Sequence, residues 1–173
     1  VLLAGDAWDA KFRDFAKEAW RLETLPQYIV PQEAEQFSRF LSGQPVVPED
    51  DDEWIDLIQK HRETGGSIGR VHIVTRPLSD YLRFEFAQYY APQFDAGEDI
   101  RILDVTDRPN PLADVQDFWM FDRSTVVLMN YEPDGKQINR ELFNGDPTPF
   151  LEYQRIALAE AVPFSEYVKQ LDT

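Results

Sequence analysis

The chain has 173 residues, 32 acids against 17 bases for a net charge of −15, 43% hydrophobic residues and no cysteine. That length fits one domain spanning residues 1–173, and the apolar content supplies a core and excludes a disordered chain. The absence of cysteine excludes disulfides, thiol nucleophiles and thiolate metal sites, and the negative charge opposes direct binding to nucleic acid or an anionic membrane.

Asp6 stands where it would cap a helix to about Arg21, with Trp8, Phe12, Phe15, Ala19 and Trp20 on its apolar face. Arg21 to Val30 reads as extended, since Pro26 cannot sit inside a helix. Pro31 opens a second helix carrying Phe37, Phe40 and Leu41 and stopped by Gly43. The run Glu49-Asp50-Asp51-Asp52-Glu53 reads as the acidic start of a helix ended by Gly65-Gly66, because calcium loops need spaced ligands and a turn glycine. Ile68 to Thr75 alternates as a strand, with Arg70 and His72 between Val71 and Ile73. Ser79 can cap a helix through about Tyr90, a second strand being the alternative. Strands follow at Asp99–Val105, Asp117–Asp122, Thr125–Tyr131 and Gln137–Phe143, the last two joined by the turn Pro133-Asp134-Gly135. Helices at Leu151–Ala161 and from Pro163 close the chain. Helices first, strands in the middle and helices last give an α+β fold, a central antiparallel β-meander flanked by N-terminal and C-terminal helices.

Signatures of serine hydrolases, nucleotide-binding loops, zinc proteases and EF-hands are absent, so no catalytic residue, metal ligand or cofactor is assigned. Of the two histidines, His61 suits a helix end and His72 alternates within its strand, and both read as structural. Three polar clusters remain: Ser79-Asp80-Tyr81-Leu82-Arg83-Phe84-Glu85, Gly97-Glu98-Asp99-Ile100-Arg101 and Asp117-Phe118-Trp119-Met120-Phe121-Asp122. In a helix Tyr81 and Glu85 share one face and Ser79 and Arg83 another; in a strand Asp117, Trp119 and Phe121 oppose Phe118, Met120 and Asp122. The ligand- or partner-binding candidates are Arg83, Glu85, Glu98, Asp99, Arg101, Asp117, Trp119 and Asp122. Their carboxylates can hold Mg²⁺ for a phosphoesterase or nuclease, or pair with Arg21, Arg70, Arg76, Arg83 and Arg101 as architecture. A pocket of Arg83, Arg101 and Trp119 around a small anion is a third arrangement.

With Arg21-Leu22-Glu23-Thr24, these clusters resemble an actinobacterial family of unknown function over nearly the whole chain. The resemblance carries no catalytic residues. It implies a gene neighbourhood with helix-turn-helix regulators. The expected function is therefore a non-enzymatic acidic protein binding such a regulator or another basic protein, with a small-anion sensor or a metal-dependent phosphoesterase as alternatives. The start of the chain lacks the basic and apolar regions of a signal peptide and no apolar run is long enough to span a membrane, so a cytoplasmic location is expected.

Overall fold

A computed structural model of the protein describes residues 1–45, 47 and 52–172. Its strands are β1 (Glu18–Glu23), β2 (Ser67–Val74), β3 (Asp99–Asp104), β4 (Phe118–Phe121), β5 (Thr125–Tyr131), β6 (Gln137–Leu142) and β7 (Val162–Pro163). They form one sheet in the order β6-β5-β4-β1-β2-β3-β7. The helices are α1 (Gly5–Asp14), α2 (Ala34–Leu41), α3 (Glu53–Glu63), α4 (Asp80–Glu85), α5 (Ala91–Ala96), α6 (Thr148–Glu160) and α7 (Phe164–Leu171). A 3₁₀ turn at Pro31–Glu33 leads into α2, and a π turn at Phe86–Tyr90 joins α4 to α5.

The fold is α+β, but the sheet is mixed rather than an antiparallel meander. β1, β2 and β3 run parallel, β4, β5 and β6 form the expected meander beside β1, and β7 adds an antiparallel edge. Helices and strands alternate as far as β3, because parallel strands need crossover connections and α2, α3, α4 and α5 supply them.

The expected helix to Arg21 stops at Asp14, and Ala19 and Trp20 belong to the central strand β1. The two residues bury on opposite sheet faces, against different clusters. The Asp122 carboxylate accepts the backbone N–H groups of Ala16 at 2.9 Å, Lys17 at 2.6 Å and Glu18 at 3.0 Å, which a continuing helix would have kept for itself. Asp122 also takes a left-handed φ of 53° in the β4–β5 turn. Asp122→Ala should cost about 2 kcal/mol of stability, since it frees several charge-assisted hydrogen bonds at once; urea unfolding checks this, and an unchanged midpoint would contradict it.

Other elements begin as their chemistry dictates. Asp52 caps α3 by accepting from Trp54 N and Ile55 N, while Glu49, Asp50 and Asp51 of the acidic run lie outside the described residues. Ser79 caps α4 through Leu82 N, deciding that segment for helix.

Strand alternation divides the core. One sheet face carries Trp20, Leu22, Val71, Ile73, Phe118 and Met120, packed with Phe150 and Leu151 of the α6 segment. The other carries two apolar clusters. The first joins Val74, Ile100 and Ile102 to Phe84, Phe164 and Tyr167. The second joins Ala19, Ile68, Trp119, Phe121 and Val127 to Phe12 and Ile58. Between them the same period places Arg21 and Glu23 on β1 and Arg70 and His72 on β2. A strip of charge thus crosses a face that is otherwise apolar.

Candidate ligand-binding cleft

An open cleft of about 800 Å³ lies over this strip. Its floor is Arg21, Glu23, Arg70 and Trp119, and its walls include Trp54, Tyr81, Glu85, Tyr90, Tyr131 and Arg140. Sheet register assembles the floor: Arg21 is paired with Arg70 on one side and Trp119 on the other, and Glu23 with His72. Glu85 and Tyr90 both reach the cleft although residues five apart diverge on a regular α-helix; the π turn between them widens the helix there.

The floor is a hydrogen-bonded charge network. Arg70 donates from Nε to Glu98 Oε2 at 2.6 Å, from Nη2 to Glu98 Oε1 at 3.1 Å and from Nη1 to Glu23 Oε1 at 2.8 Å. Glu98 also accepts the Trp54 indole N–H at 2.7 Å. Burial alone would raise the Glu23 carboxyl, but Arg21, Arg70 and His72 hold it well below the usual carboxylate range.

His72 is fully buried, and its Nε2 faces the Leu25 carbonyl oxygen at 2.8 Å, so Nε2 carries a proton. The Tyr90 hydroxyl lies 2.9 Å from Nδ1 and donates its single proton to Glu23 Oε1 at 2.8 Å. The Nδ1 contact then needs a second proton on the ring, which makes His72 an imidazolium. Burial opposes that charge, but Glu23 and Glu85 outweigh it and raise the pKa above its ordinary value. Glu85 Oε1 is buried with no hydrogen-bond partner, 3.5 Å from Nδ1.

Arg21 is held differently. Nη2 donates to the Tyr131 hydroxyl at 2.8 Å, while Asp117 and Glu23 stand off at 3.7 and 3.9 Å. Its guanidinium sits 5.4 Å from the Tyr28 ring centre and 5.9 Å from that of Trp119, and Nε is buried without a partner. Asp117 accepts from Thr24 N at 2.9 Å, from Thr24 Oγ1 at 2.6 Å and from the Tyr28 hydroxyl, orienting that ring beside Arg21. Burial, against the opposing pull of Arg21, leaves the Asp117 carboxyl above its ordinary pKa. Arg140 lies 5.0 Å from the Trp8 ring centre with a buried, unpartnered Nε.

Of the candidate residues, Glu85 and Trp119 line the cleft, and Glu98 and Asp117 hold its Arg70 and Tyr28. The other four lie elsewhere. Arg83 is an exposed partner of Asp80 one helical turn away, and Asp99 and Arg101 pair with each other at 3.0 Å near the surface. Asp122 is the backbone clasp described above. The pocket of Arg83, Arg101 and Trp119 is therefore not formed; Trp119 faces Arg21 and Arg70. Nor do the carboxylates gather as a bare cage, since Glu98 and Asp117 each have donors of their own. Sequence reasoning missed Glu23, Tyr28, Tyr90, Tyr131 and Arg140, and treated Arg21, Arg70 and His72 only as architecture. The available signal was the polar alternation Arg70–His72 among the buried apolar residues Ile68, Val71, Ile73 and Val74 of one strand.

Fold and site define an α+β protein with one mixed sheet and a buried guanidinium–carboxylate network beneath an aromatic cleft. The chain belongs to the family described as a domain of unknown function (DUF6879), whose model matches residues 6–169. No curated protein matches it. Among solved structures it is similar to Nuc, a phospholipase D family member from Salmonella typhimurium, at 12% identity and a TM-score of 0.47, over 92% of this chain and 91% of that one. Among the described residues no helix is long and apolar enough to cross a membrane.

Proposed function

We propose that the protein is a small-molecule-binding module whose cleft takes a planar, anionic ligand, anchored on Arg21 and stacked among aromatic rings. The observation that carries this reading is Arg21 itself: a largely buried guanidinium at the floor of an open cleft, with one hydrogen bond and donors to spare. A purely structural arginine so placed would be expected to bond through each of its nitrogens, as Arg70 does. Guanidinium forks match carboxylate and phosphate groups, and the Trp8, Trp54, Trp119 and Tyr131 side chains offer apolar surface to a ring.

The test is a thermal-shift screen of nucleotides and aromatic carboxylates. A compound at about 100 times its Kd stabilises the folded state by about 2.7 kcal/mol. At least one should raise the melting temperature of the wild type, and Arg21→Lys, which keeps the charge and loses the fork, should abolish that rise. A flat screen, or a rise that survives Arg21→Lys, contradicts the reading.

The net charge of −15 supports a compatible second role, binding to a basic protein such as a helix-turn-helix regulator. That complex should form at low salt and dissociate as ionic strength rises; no co-purification at low salt would count against it.

A further inference from the structure

We propose that Glu23, His72 and Glu85 form a binding site for one zinc-class divalent ion at the back of the cleft. One ligand atom from each of the three residues lies within 4.8 Å of the other two. Nδ1 is 3.5 Å from Glu85 Oε1 and 4.0 Å from Glu23 Oε2. Two ligands on arms of about 2.1 Å around a tetrahedral ion stand about 3.4 Å apart, so the His72–Glu85 distance already fits a coordination sphere and Glu23, at 4.0 Å, would have to close in on the ion.

The hydrogen bonds leave an oxygen of each carboxylate open, and at His72 Nδ1 the ion would displace the Tyr90 hydroxyl contact at 2.9 Å. Arg70 and Tyr90 both donate to Oε1 of Glu23, while Oε2 stands 3.9 Å from Arg21 Nη2 and 4.0 Å from His72 Nδ1. The unpartnered oxygen of Glu85 belongs to a residue that is 7% exposed and, among the described residues, has no arginine partner. The His72 ring faces this oxygen with Nδ1 3.5 Å away, and an ion bound in place of the Nδ1 proton would sit closer to it and satisfy it. On His72 the Nε2–H to Leu25 carbonyl bond fixes the ring so that Nδ1 faces the carboxylates, the outer-shell pattern seen behind metal-bound imidazoles. Glu23 and Glu85 line the cleft, which gives an ion its route in. On binding, the ion takes the place of the Nδ1 proton, which leaves to solvent. Imidazole with two carboxylates suits Zn²⁺ rather than Mg²⁺. The inference stands on these atoms alone and does not need the ligand reading.

Equilibrium dialysis of chelator-treated protein against Zn²⁺ and Mg²⁺ tests it. One Zn²⁺ per chain should be retained, with Mg²⁺ at least about 10-fold weaker. Glu85→Gln keeps the side-chain shape and removes the charged ligand atom, and should weaken Zn²⁺ retention by at least about 10-fold. Should that variant not fold, Co²⁺ added to the wild type should give the visible absorption of nitrogen ligation, and Zn²⁺ should displace it. Retention that Glu85→Gln leaves unchanged, Mg²⁺ held as tightly as Zn²⁺, or a Co²⁺ spectrum identical to the aquo ion would overturn the proposal and assign the uptake to surface carboxylates.

Discussion

Arg70→Met is expected to destabilise the protein by about 3–5 kcal/mol, read as the loss of urea midpoint at neutral pH. The side chain is 9% exposed and satisfies two carboxylates that are almost fully buried, Glu23 and Glu98. It also lies 5.2 Å from the Tyr90 ring centre. Removing it leaves Glu98 with the neutral Trp54 indole N–H and Glu23 with Arg21 and His72 standing off at 3.9 and 4.0 Å, in a poorly solvating interior where breaking a buried ion pair is costly. Arg70→Lys should recover part of the loss but not all, since an ammonium cannot span Glu98 bidentately while reaching Glu23. A methionine variant as stable as the wild type would mean that solvent screens the network.

His72 gives the second large effect, through pH. Its neighbours are Glu23 from β1, Glu85 from α4, Tyr90 from the π turn and the Leu25 carbonyl, with the Tyr28 ring centre 6.0 Å away and Arg70 on its own strand. Burial disfavours the imidazolium, but Glu23 and Glu85 prevail and the folded pKa is raised. A raised folded pKa contributes stability that is fully present below the unfolded value of about 6.5 and is lost as pH rises through the folded value. For chelator-treated protein, urea-derived stability should fall above about pH 6.5, by at most about 1.4 kcal/mol per pH unit for one proton. His72→Gln should flatten this limb, and that comparison separates His72 from His61. Stability that climbs through the window in the wild type would contradict the imidazolium. Glu23 acts in the other direction: its depressed folded pKa contributes stability above the ordinary carboxylate value that is lost on acidification.

Local chemistry made much of the fold legible. Asp52, Ser79 and the turn Pro133-Asp134-Gly135 each act within a few residues, and the segments they bound stand where the pattern puts them. The alternation around Trp119 also holds, with Trp119 and Phe121 in one cluster and Phe118 and Met120 in another. Tyr81 and Glu85 do share a helix face, their side chains 3.2 Å apart. What failed was β1. A strand buried on both faces need not alternate, and the spacing of Trp8, Phe12, Phe15, Ala19 and Trp20 satisfies a helix equally well. Without β1 the parallel half of the sheet has no first strand, and Arg21 and Glu23 have no address.

The site was legible as chemistry but not as place. Arginine–carboxylate pairing was the right theme, yet pairs close in sequence, Asp80–Arg83 and Asp99–Arg101, are surface pairs. The buried network joins residues 28, 47 and 67 positions apart, in Arg70–Glu98, Arg70–Glu23 and Tyr90–Glu23. Those meetings come from parallel register and a π turn, neither of which leaves a local mark in the sequence.

The arginine side-chain Nε–H resonances of the protein, followed by ¹H–¹⁵N NMR during titration with the compound that gives the largest thermal shift, report whether the anion sits on Arg21. The Arg21 resonance is expected to shift and saturate with the bound fraction while those of Arg83, Arg101 and Arg155 stay in place. An unmoved Arg21 resonance beside shifts at those surface arginines would show that the cleft is not where the anion binds.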